Sequence, residues 1–320
     1  MNKHEQLRLD VLDEDKLVEH DLRVMTAIHD ESDRGQIALT LEDAYGELAG
    51  RYTPVGPTDP KSLIGNVYRV WGYAIDHEDP AAGIDVNFLE PPENPDFSLQ
   101  LVPMSACADA AIPALHTMID LLDAMTNRAV ARYVHRVLGC PDIYPLFFWA
   151  KAAPHSHHAF DGGLASHSAE CASIIGDMST SHFSGRLGRD LAIASAMLHD
   201  LGKIAWAGSD YVNPMLMHES RGLVLAADAL RQLRRDTDSG TAEMAAYLLS
   251  KESRTENAAC PEAVAVMMAD RLSATRNGQK LAFGRSKSQT LTAGRLNGAY
   301  GKRYVRVVDM EAAIETSEAA

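Results

Sequence analysis

Between residues 22 and 90 apolar and polar positions alternate, in part, over short runs: LRVMTAIH, QIALTLED, GELAGRYT, NVYRVWGYAI and GIDVNFLE. A period of two, carried by β-branched and aromatic residues, predicts strands with one face buried. Gly35, Gly46, Gly56, Pro57 and Pro60 mark turns between them, and Pro80 and Gly83 break the last pair. Five strands in so short a span fit a small closed barrel. The next stretch, LEPPENPDFS, is too polar and Pro-rich for the interior of either element and reads as a linker.

From Ala106 onward the period changes. ADAAIPALHTMIDLLDAM sets Leu, Ile and Met at helical spacing, and RAVARYVHRVLG ends on a glycine suited to a helix terminus. Helices are expected from there to about residue 275, one of them opened by Asn213 as N-cap with Pro214 at the first position, before MLMHESRGLVLAADAL. The pattern predicts a two-domain α+β chain, a small OB-like β-barrel followed by an all-α domain. Its expected parts are an N-terminal extension (1–20), the barrel (21–92), a linker (93–104), the helical domain (105–278) and a basic C-terminal segment and tail (279–320).

Composition narrows the classes. At 320 residues the chain is long enough for two domains. MNKHEQLRLDVLDEDKLVEHD is densely charged where a secretory leader needs an apolar stretch, and no run is long enough to span a bilayer, so a soluble, cytoplasmic protein with no membrane partner is expected. Cys107, Cys140, Cys171 and Cys260 are scattered without a CxxC pair and read as reduced thiols. The formal net charge of −14 is unevenly spread: from Arg271 to Val308 there is no acidic residue, while Arg271, Arg276, Lys280, Arg285, Lys287, Arg295, Lys302, Arg303 and Arg306 are basic. This stretch, with Arg285, Lys287, Lys302 and Arg303 foremost, is a candidate contact for nucleic acid. Arg51, Tyr68, Arg69 and Trp71 are candidates on the barrel, where aromatic rings stack bases and cations meet phosphates. A solvated surface and an ordinary barrel wall are the alternatives.

The chemistry concentrates in HAFDGGLASHS (158–168), MLHDLGK (197–203) and AVAVMMADRL. His167 follows a glycine pair, His199 and Asp200 end an apolar run, and Asp270 interrupts another. An ionised Asp inside an apolar helix is costly unless paired, and a shared divalent cation neutralises both. Imidazole with carboxylate suits such an ion.

These residues resemble the H…HD…D signature of the HD-domain phosphohydrolase superfamily. The longer string APHSHHAFDGGLASHS, with the barrel ahead of it, is similar to YhaM-type 3′-to-5′ exoribonucleases, and the same block is similar to MobH-type, TraI-like relaxase domains. The resemblance implies a metal held by His167, His199, Asp200 and Asp270, with His218 toward a second ion. It also implies a phosphate-facing Lys203, and His157 and His158 in phosphate contact or leaving-group protonation, Asp200 and these three forming the catalytic set. Manganese is the implied ion, with magnesium, iron, nickel or zinc as alternatives. The implied activity is 3′-to-5′ exonucleolytic hydrolysis of single-stranded RNA or DNA. DNA nicking, a degenerate nucleic-acid-binding module and a nucleotide phosphohydrolase are the rival readings, and self-association is left open. The sequence departs from the pattern at YLLSKESR, where Lys251 and Glu252 stand in place of an expected His pair; Glu252 is the candidate oxygen ligand, and one ion or two stays undecided.

Overall fold

The computed structural model describes residues 18–30, 35–76, 82–92, 97–154, 157–207, 217–283, 293–295 and 303–305. The chain divides into two compact units, one of Met1–Ala108 with Arg132–Pro145, the other of Asp109–Ala131 with Leu146–Ala320.

The first unit contains the barrel. Its strands are β1 (Val18–His29), β2 (Ile37–Asp43), β3 (Gly46–Tyr52), β4 (Val67–Ala74) and β5 (Ile84–Glu90). They close in the order β1-β2-β3-β5-β4, with β4 returning to β1 and β3 parallel to β5. Alternation explains the core: Ile37, Leu39 and Leu41 point inward from β2 and meet Leu22, Val24, Val70, Ile84 and Val86. All five strands fall where the period of two places them.

Residues 97–106 overlap the expected linker but are built into this unit. Two 3-10 turns, Leu99–Leu101 and Met104–Ala106, bracket a buried Val102, and Leu99 is also buried. Glu42 accepts hydrogen bonds from the Ser105 backbone (2.7 Å) and hydroxyl (2.6 Å), and the Ala44 amide donates to the Gln100 carbonyl (2.9 Å). The Pro-rich part ends before Leu99, Leu101 and Val102 supply apolar anchors; burying them offsets the cost of ordering the segment.

The helices are α1 (Ile112–Asp123), α2 (Arg128–Leu138), the single turn α3 (Tyr144–Phe147), α4 (Gly163–Gly176), α5 (Gly185–Leu198), α6 (His218–Leu225), α7 (Ala227–Asp236), α8 (Ser239–Leu249) and α9 (Pro261–Phe283). Asn213 and Pro214 lie outside the described residues, and α6 begins at His218 after Met217. In the second unit α4 packs on α1, α5 and α9, and α5 also packs on α9 and α8. From Leu191 to Leu198 every residue of α5 is buried, so this helix lies inside the unit rather than along its surface. Asp190 fixes its approach by accepting from the Thr126 hydroxyl and the Asn127 amide, each at 2.8 Å.

Beyond α9, two short strands, β6 (Ala293–Arg295) and β7 (Arg303–Val305), pair antiparallel. Among the described residues no helix is long and apolar enough to cross a membrane.

Candidate metal centre

Local backbone geometry creates the site's frame. Gly162 caps α4 at φ 81°, a left-handed conformation that glycine adopts without strain. A Cβ on Gly163 would stand 2.0 Å from the His158 carbonyl oxygen, so the second glycine lets the helix start press against the loop carrying the histidines. His158 itself is held at φ 48°, unusual for a residue with a side chain, and its amide donates to Asn277 Oδ1 (2.9 Å).

One turn into α4, His167 is fully buried and meets the end of α5 and the middle of α9. Its Nε2 lies 3.2 Å from Asp270 Oδ1 and 3.7 Å from Asp200 Oδ2. His199 Nε2 lies 3.3 Å from the same Asp200 oxygen and 3.8 Å from Asp270 Oδ1. Four groups spread over about a hundred residues of sequence therefore converge, with His199 and Asp200 each only 2% exposed.

The far nitrogen of each imidazole is held. His199 Nδ1 lies 2.8 Å from the Ala196 carbonyl and donates to it, so Nε2 faces the site and is the nitrogen that an ion would take in place of its proton. His167 Nδ1 lies 2.9 Å from Ser273 Oγ, whose proton goes to Glu170 Oε2 at 2.9 Å. The Glu170 carboxylate accepts only, so the serine donates to it and accepts from His167. The tautomers follow from these partners. His199 Nε2 is buried without a hydrogen-bond partner, an orphan that a cation would satisfy.

Electrostatics agree with a cation-seeking cluster. Burial raises the Asp200 pKa, but His199, His218 and Lys203 outweigh it and hold the carboxyl well below its usual range. Burial likewise opposes ionisation of Asp270, and the neighbouring His167 and His199 override it. Burial lowers His167 and keeps it neutral. His199 goes the other way: burial disfavours its charge, yet the nearby Asp200 and Asp270 carboxylates bring it up to about 9.

Around these four stand the other expected residues. Lys203 Nζ lies 2.5 Å from Asp200 Oδ2, and His218 Nε2 lies 3.4 Å from Asp200 Oδ1. The rings of His157 and His158 lie 5.3 and 5.2 Å from that of His167. Burial, then the neighbouring His167 and Lys203, push His157 down to about 4. His158 is turned toward Glu170. It is 5% exposed, and its Nε2 lies 3.3 Å from Glu170 Oε2, the position of a support and not of the phosphate contact expected for it.

Several participants escaped the sequence reading. Glu170 and Ser273 lie three residues after His167 and Asp270, the helical spacing that could have found them. Cys171, one turn after His167, groups with His167 and His199, ligand atoms all within 4.8 Å. Burial drives its thiol well above the usual range, however, so the ionised carboxylates are the better donors. At YLLSKESR, Lys251 and Glu252 are exposed, and Glu252 does not serve as the oxygen ligand proposed for it. Ser253 turns inward, donating to the Leu248 and Ser250 carbonyls, and brings Arg254 into the site beside Asp200 (3.7 Å) and Glu219 (3.9 Å).

The residues fit a divalent ion: two oriented imidazole nitrogens, one of them buried without a hydrogen-bond partner, and two ionised carboxylates. Residues 164–275 match the family model of the HD domain. This part of the chain is similar to the HD domain. It implies a metal-dependent phosphohydrolase, with the matched span running from the start of α4 into the second half of α9. No curated protein and no solved structure matches the chain.

The nucleic-acid candidates are placed apart from this centre in the sequence and differ among themselves. Arg69 pairs with Asp21 (2.9 Å) and Glu19 (3.9 Å), and Arg51 with Asp85 (3.3 Å). Tyr68 packs partly against the barrel core, and Trp71 is half-buried opposite Phe88 of β5, which is 59% exposed. Arg303 lies on β7; Arg285, Lys287 and Lys302 fall outside the described residues. All four cysteines are free, Cys107 and Cys171 buried and Cys140 and Cys260 half-buried.

Proposed function

We propose that the protein hydrolyses phosphodiesters in single-stranded RNA or DNA, as a 3′-to-5′ exonuclease that requires a divalent metal, with manganese as the first ion to test. The observation that carries the hydrolytic half is the convergence of His167, His199, Asp200 and Asp270 with both imidazole Nδ1 atoms engaged behind them. An ion bound there supplies a Lewis acid for the phosphoryl oxygen and acidifies water. The chain's own groups then do the rest. Ser273 and the Ala196 carbonyl keep the imidazoles in the ligating tautomer. Lys203 places a cation where phosphate charge develops. His157, half-buried and pushed down to about 4, is neutral at physiological pH and offers a lone pair at the edge of the site.

The nucleic-acid half is supported by the outer face of β4 and β5. Trp71 and Tyr73 share that face, Phe88 stands opposite Trp71, and Tyr73 and Phe88 are well exposed, which suits stacked bases. A cavity of about 750 Å³ in the same unit is lined by Arg23, Tyr68, Phe97 and neighbours, a size that takes a nucleotide. One observation favours a second reading, hydrolysis of free nucleotides: Arg51 and Arg69 already have acidic partners, which weakens them as phosphate contacts.

The test incubates the protein and its Asp200→Asn variant with 5′-labelled single-stranded RNA and DNA in manganese. A ladder shortening from the 3′ end with wild type alone supports the proposal. Intact strands beside hydrolysed free nucleotides select the second reading, and nicked supercoiled plasmid with intact linear strands selects a relaxase-like activity.

A further inference from the structure

Asp200 presents its two oxygens to two different surroundings. Oδ2 faces His167, His199 and Lys203. Oδ1 faces His218 Nε2 at 3.4 Å and Arg254 Nη1 at 3.7 Å. On that second side Glu219 completes a set of two carboxylates and one imidazole, for its Oε1 also lies 3.4 Å from His218 Nε2. Glu219 is 7% exposed and its Oε2 is buried without a hydrogen-bond partner. Two buried carboxylates around one imidazole demand a positive charge.

We propose that the Arg254 guanidinium is that charge, standing in the place of a second metal ion, so that the centre holds a single ion beside Asp200 Oδ2. Its Nη1 lies within 4 Å of both carboxylates, and its Nη2 donates to the His199 carbonyl, which fixes the guanidinium against the end of α5. The side chain is only 16% exposed. A guanidinium keeps its proton at any working pH and offers donors alone, so it neutralises carboxylates but cannot ligate a metal, and it repels a second cation from the same oxygens. The placement also accounts for the SKESR departure. Where the sequence lacks the His pair, the inward turn of Ser253 delivers a permanent cation. Arg254 is a positioning residue that acts through Asp200 and His199. The inference rests on reading this site as a metal centre.

The test is the manganese stoichiometry of the full chain, stripped with chelator, re-equilibrated by dialysis and analysed for metal per chain. Wild type is expected to hold one equivalent, Arg254→Lys also one, and Arg254→His and Arg254→Gln two, with a spin-coupled manganese pair in the His variant's electron paramagnetic resonance spectrum. Circular dichroism establishes that each variant is folded. Two equivalents in wild type, or one in a folded Arg254→His or Arg254→Gln, overturns the proposal. No manganese in wild type overturns the metal reading itself.

Discussion

Both units bury acidic side chains, but they treat them differently. In the barrel unit Glu42 is 4% exposed and both of its oxygens are met by Ser105, while Asp43 caps the following turn through the Tyr45 and Gly46 amides. Their role is structural, since each ties one segment of backbone to another. In the helical unit Asp200 is equally buried but is surrounded by side chains of His199, His218, Lys203 and Arg254, and neighbouring atoms such as His199 Nε2 and Glu219 Oε2 are left without hydrogen bonds. Burial alone does not mark a functional carboxylate. What marks it is convergence from several elements with donors and acceptors left over.

Substitutions sharpen that contrast. The largest effect is expected from Asp200→Asn, which removes the charge shared by every cation of the centre: hydrolysis falls by on the order of 10³-fold or more in a labelled-substrate assay, and manganese binding is lost in dialysis. Retained turnover would return Asp200 to the structural class of Glu42. Next comes Ser273→Ala, which frees His167 Nδ1 and should weaken metal affinity by roughly 10- to 100-fold. Isothermal titration with manganese measures it.

Glu42→Ala should do the reverse, leaving hydrolysis and metal affinity unchanged while costing about 1–3 kcal/mol in urea unfolding, because a buried amide loses its acceptor. A loss of activity at unchanged stability would show that the barrel's acids are not merely structural.

Stability against pH offers a milder probe of the metal-stripped protein. The folded-state pKa of His199 is raised from 6.5 to about 9, so its stabilisation is complete below about pH 6.5 and is lost as pH climbs through 9. Asp200 and Asp270 are depressed; their contribution is present above 3.8 and is lost on further acidification. Denaturant midpoints measured across this range should fall at both ends, and manganese should flatten the alkaline limb.

The smallest effect is expected at the barrel surface. Arg51→Ala breaks an exposed pair with Asp85 and should change stability by less than about 1 kcal/mol, an effect reduced further by salt. If bases stack on the barrel, Phe88→Ala should weaken single-strand binding more than Arg51→Ala in a fluorescence anisotropy titration. Equal affinities in both variants and wild type would remove the barrel from substrate binding.

The strands of the barrel and the long helices were legible because their signal is local: inward positions of β2 repeat every second residue and those of α1 at helical spacing, whatever lies across from them. The residues that converge at the candidate centre were legible for a related reason, since an Asp within AVAVMMADRL and a His-Asp pair closing LAIASAML violate the local apolar pattern. The linker reading extended too far because Leu99 and Val102 declare themselves only when a cavity receives them. Arg254 went unread, Glu170 had only its helical spacing from His167 to mark it, and His158 was expected in phosphate contact rather than beside Glu170. A cation in a polar turn or a Glu on a helix looks the same in sequence whether it faces water or a buried partner, and which one it faces depends on residues about 50 to 100 positions away. Local periodicity and the cost of burying charge thus determined the elements and the core of the site. Packing of α4, α5 and α9 decided which nitrogen of each imidazole faces the site, and the turn after α8, pinned by Ser253, decided that Arg254 rather than Glu252 faces Asp200.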